Sequence, residues 1–227
     1  MEVAQLWRYP VMSMAGERIA SAEVGDRGVV GDRRLAVFEL APNPKPKPLS
    51  GRDVPGLLRF RASLDSGAVQ VKGPELDPAA WDSEVVERSL GLVCRRQLEL
   101  RPVEAGAFDD SPILLVFLAT VARLSEELGA NVDPRRFRAN LYLDGPGADP
   151  HLEPELIGRE IRCGRSLALQ VTQPCPRCSI TTRDPDTWAN WPQLLRQVVQ
   201  AHDEIVGVYC RVLAPGSVAE GDPIELV

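Results

Sequence analysis

Short runs in which apolar and polar residues alternate recur along the chain, each stopped by proline or glycine, and this punctuation restricts the fold more than anything else. Alternation sends successive side chains to opposite faces of a pleated strand, so each run reads as a strand with one buried face. Strands are expected at residues 3–9, stopped by Pro10, and at 19–24 after the turn Ala15-Gly16-Glu17; together they suggest a hairpin-like opening. Gly25-Asp26-Arg27-Gly28 and Gly31-Asp32 bracket a tight loop before a strong strand at 35–40. Further strands are expected at 58–64, at 68–71 beyond the hairpin turn Asp65-Ser66-Gly67, and at 94–100, 137–145, 166–172, 205–212 and 223–227. Helical spacing is confined to three stretches: 79–90; 113–128, which Asp110-Ser111-Pro112 would open and Gly129 would end; and the segment after Trp191-Pro192. Many strands with few helices make a β-rich α+β protein.

With 227 residues the chain can form one large domain or two small ones. Residues 41–48, Ala-Pro-Asn-Pro-Lys-Pro-Lys-Pro, read as an extended surface connector. A charged share of 26% and a hydrophobic share of 44% exclude a fibrous or wholly disordered chain. The longest apolar run, 113–121, falls well short of the roughly 20 residues that span a bilayer and reads as part of a core helix. Five cysteines and no basic-then-apolar leader point to a reducing, cytoplasmic setting. A net charge of −6 argues against nucleic acid and anionic membrane as partners.

The chemistry concentrates in residues 173–187, Gln-Pro-Cys-Pro-Arg-Cys-Ser-Ile-Thr-Thr-Arg-Asp-Pro-Asp-Thr, where the strand at 166–172 would hand two thiols to a loop. Arg177 and Arg183 flank Cys178, and nearby cations favour the thiolate, which binds soft metals and attacks sulfur. Cys175 and Cys178 also form a C-x-x-C, which leaves open half a zinc site, a redox dithiol or a buried inert pair. His202 reads as a surface residue on the last helix. Arg138 and Asn140 sit two apart in an expected strand, so both side chains would leave one face, which could grip an anion and a heterocycle edge together.

The segment 174–187, with Arg177-Cys178, Thr181-Thr182 and Asp184-Pro185-Asp186-Thr187, resembles the signature of the MOSC family, the molybdenum cofactor sulfurase C-terminal domains. It is most similar to the branch that contains the mitochondrial amidoxime-reducing component and its bacterial relatives. Tyr9-Pro10-Val11, Ser13, Gly16-Glu17 and Gly31-Asp32-Arg33 match that family's N-terminal pattern, Phe137-Arg138-Ala139-Asn140 its Phe-Arg-Pro-Asn, and Ser111-Pro112 its Thr-Ser-Pro. The resemblance implies a MOSC-type barrel over 93–227 with a smaller N-terminal β-rich subdomain over 1–92 and a ligand cleft between them, and a molybdenum-molybdopterin cofactor whose metal is ligated by Cys178. It implies cofactor contacts from Ser13, Arg33, Ser111, Arg138, Asn140, Arg177 and Thr181. The implied activity is reduction of N-hydroxylated or N-oxide small molecules, with electrons from a separate ferredoxin- or cytochrome-b5-like protein. No ferredoxin-like cysteine set follows within the chain. The chain departs from the pattern at Met12, where the family has lysine, and at Asp109-Asp110, which bring carboxylates beside Ser111. Those departures keep two other readings open: a cofactor-free sulfur carrier, with a persulfide on Cys178 and a sulfur donor as partner, and a noncatalytic protein of the same fold.

Overall fold

The computed structural model describes residues 1–40 and 47–227, so most of the connector expected at 41–48 lies outside the described residues. Two compact units share the chain: unit 1 takes residues 1–7, 18–30 and 110–227, unit 2 residues 8–17 and 31–109. Unit 1 opens with β1 (Glu2–Arg8), whose last residue belongs to unit 2, then β2 (Glu17–Arg18), whose first residue does too, β3 (Ser21–Gly25) and β4 (Gly28–Val29). Unit 2 follows with β5 (Leu35–Glu39), β6 (Arg61–Asp65), β7 (Ala68–Gly73), β8 (Leu76–Ala80), α1 (Glu84–Cys94) and β9 (Leu98–Pro102). Unit 1 resumes with β10 (Ile113–Phe117), α2 (Leu118–Leu128), β11 (Leu141–Asp144), β12 (Glu160–Cys163) and β13 (Leu167–Pro176). It ends with α3 (Pro192–Ala201), β14 (Ile205–Ala214), β15 (Gly216–Ala219) and β16 (Ile224–Leu226). The protein is thus a β-rich α+β chain, as its alternating runs predict.

Unit 1 is a barrel. Its main sheet runs β16-β12-β13-β14-β10-β11-β1-β2, and the far ends meet. Val3 N donates to Asp222 O (2.9 Å), Gly221 N to Val3 O (2.8 Å) and Ile224 N to Met1 O (2.9 Å), so the flank of β16 closes on β1. Closure satisfies edge groups that would otherwise template aggregation. Val3, Leu6, Ile113, Leu115, Phe117, Leu141, Leu143, Leu169, Val171 and Val208 fill its core. Unit 2 pairs β5 with β9 and folds β6-β7-β8 into a meander, with α1 packing Val86 and Leu90 into a core that includes Leu57, Phe60, Val71 and Leu98. The β6–β7 hairpin has the two-residue loop that its sequence announces: Ser66 (φ 47°) and Gly67 (φ 86°) both adopt the positive φ of a type I′ turn.

Several expectations are corrected. Residues 113–117 form strand β10, and the helix begins only at Leu118. β10 lies inside the sheet, antiparallel to β14 and parallel to β11, and all five of its residues are buried. A strand covered on both faces reads as a continuous apolar run, which periodicity cannot tell from a buried helix. The parallel β10–β11 pair explains α2, because parallel neighbours need a crossover. The hairpin-like opening holds only at its start, where β1 pairs with β2 and Ile19 N donates to Leu6 O (2.9 Å); the rest of the 19–24 run, β3, pairs with β15 and β4. In unit 2 the helix expected over 79–90 starts at Glu84, residues 76–80 being a strand, and the strands expected at 58–64 and 94–100 lie at Arg61–Asp65 and Leu98–Pro102.

The strand expected over 137–145 begins only at Leu141. Pro134–Phe137 is a 3-10 turn that Arg138 ends in the left-handed conformation (φ 56°), so Arg138 and Asn140 do not share a strand face.

Candidate functional site

Strand β13 carries the cysteine segment. It pairs with β14 from Ala168 to Pro176, whereas β12 accompanies it only as far as Gln170. Pro174 and Pro176 therefore fall where one neighbour has dropped away and a missing N–H breaks no ladder on that side. The strand also runs further than expected. Cys175 lies on it, only 2% exposed, rather than on the loop with Cys178.

Past Pro176 the chain is fixed by Arg177, whose side chain turns inward. Its Nε donates to Val206 O (2.7 Å), as does its second terminal nitrogen, and the other donates to Phe137 O at 2.9 Å. The guanidinium lies 5.3 Å from the Phe137 ring centroid, and Arg177 N donates to Glu204 O (2.8 Å). Three donors spent on two main-chain carbonyls make Arg177 an anchor for the residue that follows it.

That residue, Cys178, is a half-buried free thiol. Its backbone is extended (φ −123°, ψ −178°) at the head of the 3-10 turn Ser179–Thr182. The Cys178 carbonyl accepts from both Thr181 N (3.1 Å) and Thr181 Oγ1 (2.9 Å), so the buried Thr181 locks the turn to the cysteine. Thr182 Oγ1 lies 2.7 Å from Ser179 O and 2.6 Å from Asn190 Oδ1.

Asp184 organises the rest of the signature. Its Oδ1 accepts from Asp186 N (3.1 Å), Thr187 N (2.8 Å) and Thr187 Oγ1 (2.9 Å), and its Oδ2 accepts from Arg136 at 2.8 Å. Hydrogen bonds from Thr187, opposed by partial burial, hold the Asp184 carboxyl below its ordinary value. Arg136 also stacks over Trp191, 5.5 Å from the ring centroid. Neighbouring Arg135 bridges Asp133 (2.6 Å) and Asp186 (2.5 Å). The sequence reading named Asp184 only as part of the signature and gave no role to Arg136 or Trp191; the signal was the arginines at 135, 136 and 138 matched by aspartates at 184 and 186.

The other expected residues divide between the units. In unit 1, Asn140 is 1% exposed; its Oδ1 accepts from Leu114 N (3.2 Å) and its Nδ2 donates to Trp7 O (3.3 Å), tying the starts of β10 and β11 to β1. Ser111 is part-exposed and donates to Asp110 Oδ1 (2.8 Å). It precedes a strand, so it does not cap a helix. In unit 2, Ser13 (φ 67°) accepts from Gly51 N at 2.8 Å, and Arg33 (φ 49°) pairs with the buried Asp32 and lies 4.8 Å over the Tyr9 ring. Asp32 in turn accepts from Tyr9 N (2.7 Å). Met12, the departure from the family lysine, packs against Ala36, Phe38 and Ala107. Among the described residues, no group of three metal-ligating side chains includes Cys175 or Cys178, so the zinc reading of the pair gains no further ligands.

Barrel, buried anchor and half-exposed thiol define a β-barrel protein that presents one cysteine from the end of an interior strand. A model of the MOSC domain matches residues 102–225, and a model of the MOSC N-terminal beta barrel domain matches residues 1–101. The chain belongs to the MOSC family. Among curated proteins it is 24% identical to mitochondrial amidoxime-reducing component 1 of Mus musculus and 23% identical to that of Homo sapiens, in each case over 99% of this chain and 82% of the relative. Among solved structures, the YUAD protein from Bacillus subtilis shares the fold with a TM-score of 0.56 at 14% identity, over 99% of this chain and 94% of that one. Among the described residues no helix is long and apolar enough to cross a membrane.

Proposed function

We propose that the chain is a molybdenum-cofactor-dependent reductase of N-hydroxylated or N-oxide small molecules, with Cys178 as the thiolate that ligates the metal. The carrying observation is Cys178 itself, a free and half-exposed thiol set at the head of a turn by the buried Arg177. A soft thiolate on a rigid support fits the donor chemistry of such a centre. The names of the mouse and human relatives, amidoxime-reducing components, support the substrate class. When bound, the cofactor supplies the two-electron chemistry. The net change is an N-hydroxyl compound plus two electrons and two protons giving the N–H compound and water.

The protein's own part is positioning. Arg177 and Thr181 fix the Cys178 main chain from both sides, so the thiolate is pre-placed. Asn140 acts one step further away by tying β1, β10 and β11 together, and Arg138 and Ser111 are the unit 1 groups proposed to meet an anionic cofactor. Electrons come from a separate carrier protein of the ferredoxin or cytochrome-b5 kind. The test is reduction of an aromatic amidoxime by protein from a host that makes the cofactor, with a reduced viologen dye as donor. Cys178→Ser abolishes turnover, whereas Cys175→Ser lowers it less. Equal losses in the two variants would sink the assignment.

Met12 favours a second reading. Because it packs among apolar side chains where the family has a cation, a cofactor-free sulfur carrier with a Cys178 persulfide stands behind the first. Attack of the Cys178 thiolate on the outer sulfur of thiosulfate, breaking its S–S bond and releasing sulfite, would leave the persulfide; a mass gain of one sulfur atom with sulfite released would support this reading.

A further inference from the structure

The two histidines of the chain meet in unit 1. Their rings stack with centroids 3.8 Å apart and planes inclined at 16°, and His202 Nε2 lies 2.7 Å from Glu127 Oε2. Glu127, His151 and His202 each offer a ligand atom within 4.8 Å of the others. They come from three elements. Glu127 sits in the last turn of α2, His202 caps the C-terminus of α3, and His151 precedes the 3-10 turn Glu153–Leu156. His202 is therefore not the surface helix residue that its sequence suggests: its side chain is 11% exposed and that of Glu127 17%.

Three observations go beyond an ordinary ion pair. His151 Nε2 is buried with no hydrogen-bond partner, and leaving a buried polar group unpaired costs on the order of 1–3 kcal/mol. His151 is held at φ 60°, unusual for a residue with a Cβ, by its N–H donating to Thr120 Oγ1 at 2.9 Å. Thr120 in turn donates to the buried Glu153 (2.8 Å), so the strained backbone rests on an interior network. Finally, Glu127 is oriented by groups outside the trio, Arg123 Nε on Oε1 and Gln197 Nε2 on Oε2, each at 3.0 Å. A buried orphan nitrogen, a strained backbone at the same residue, and a carboxylate steered by neighbours are what a metal site needs around its ligands.

We infer that Glu127, His151 and His202 form a binding site for a divalent first-row transition-metal ion of the zinc class. Two imidazoles and one carboxylate suit that class and leave a fourth position for water. Tetrahedral bonds of about 2.0–2.2 Å set ligand atoms about 3.4 Å apart, so rotation of the side chains brings the trio to bonding distance. His202 Nε2 then exchanges its Glu127 partner for the ion, and His151 Nε2 gains the partner it lacks. The bound ion ties the segment before Glu153 to the ends of α2 and α3. None of these residues takes part in the chemistry proposed for Cys178, so this site stands or falls separately.

The test is titration of metal-free full-length protein with cobalt(II) at neutral pH, read in the visible and near ultraviolet. One equivalent binds with the visible bands of a four-coordinate nitrogen and oxygen site and without the near-ultraviolet band of a cobalt–thiolate bond. His151→Gln and His202→Gln each weaken binding by about 100-fold or more, beyond the 10–100-fold carried by groups outside the ligand set. Circular dichroism checks that the variants are folded; if either is not, Glu127→Gln, whose amide keeps the shape and the acceptor oxygen, decides by the same loss. Wild-type affinity in the folded variants, no saturable binding, or a thiolate band that disappears in Cys178→Ser would overturn the assignment.

Discussion

Replacing Arg177 with methionine removes the anchor beneath Cys178, and the size of the effect follows from its partners. The residue is 7% exposed, and its guanidinium is the donor for Val206 O and Phe137 O. Methionine keeps an apolar stem but donates nothing, so two carbonyls lose their donor at about 1–3 kcal/mol each. The sum, about 4 kcal/mol, lowers the melting temperature by roughly 8–16 °C in a chain of this size. Loss of the cation adds to this. Burial raises the Glu153 carboxyl above its ordinary value, and Arg177 is among the influences that oppose the rise. Arg177→Lys, with one compact ammonium in place of the fork, recovers at most one carbonyl and should fall about halfway. Thermal melts followed by tryptophan fluorescence give the stability. Reaction of the Cys178 thiol with a disulfide reagent, corrected with Cys178→Ser, reports the loop and should quicken in the methionine variant. A methionine variant melting within about 1 °C of the parent would refute the buried fork, since an exposed guanidinium is worth that little.

Gly207 bounds the same anchor. It holds φ +82°, and a Cβ there would lie 2.5 Å from Leu115 O and 2.6 Å from Val116 Cγ2. Gly207→Ala is therefore expected to destabilise by about 3 kcal/mol or more, from the left-handed backbone and the clash together, as measured by urea unfolding. The carboxyl of Asp184 gives a pH signature. Its folded pKa is depressed, so its contribution is whole above the ordinary value of 3.8 and is lost as pH falls through the lower folded value. Melts on the acid side should show that loss in the parent and not in Asp184→Asn, which is also the less stable of the two at neutral pH.

The alternating runs were enough to give the β-rich class, because a period of two survives in strands with one wet face, and the 65–68 hairpin was legible because Ser66-Gly67 can adopt the positive φ that the turn demands. Ile113–Phe117 hid its nature for the opposite reason: with both faces covered, nothing alternates. Cys178 stood out by its neighbours' chemistry. The inward turn of Arg177 did not, since a charged residue beside a cysteine reads as an electrostatic helper until the carbonyls of Val206 and Phe137 are known to await it. Asn140 joins strands far apart in sequence, and the ion pair of Arg136 with Asp184 crosses 48 positions; only the closed barrel brings such groups together. The meeting of His151 with His202 was equally invisible, because one ends a helix and the other lies in a connection.

The proposed reductase turns on whether Cys178 holds a metal, and direct analysis answers that. Protein purified from a host able to make molybdenum cofactor, beside its Cys178→Ser variant, is assayed for molybdenum and for released pterin. The account predicts molybdenum near one equivalent with pterin in the parent, and molybdenum lost in a folded variant. Folded parent protein with neither metal nor pterin, or a serine variant that keeps its molybdenum, would contradict it.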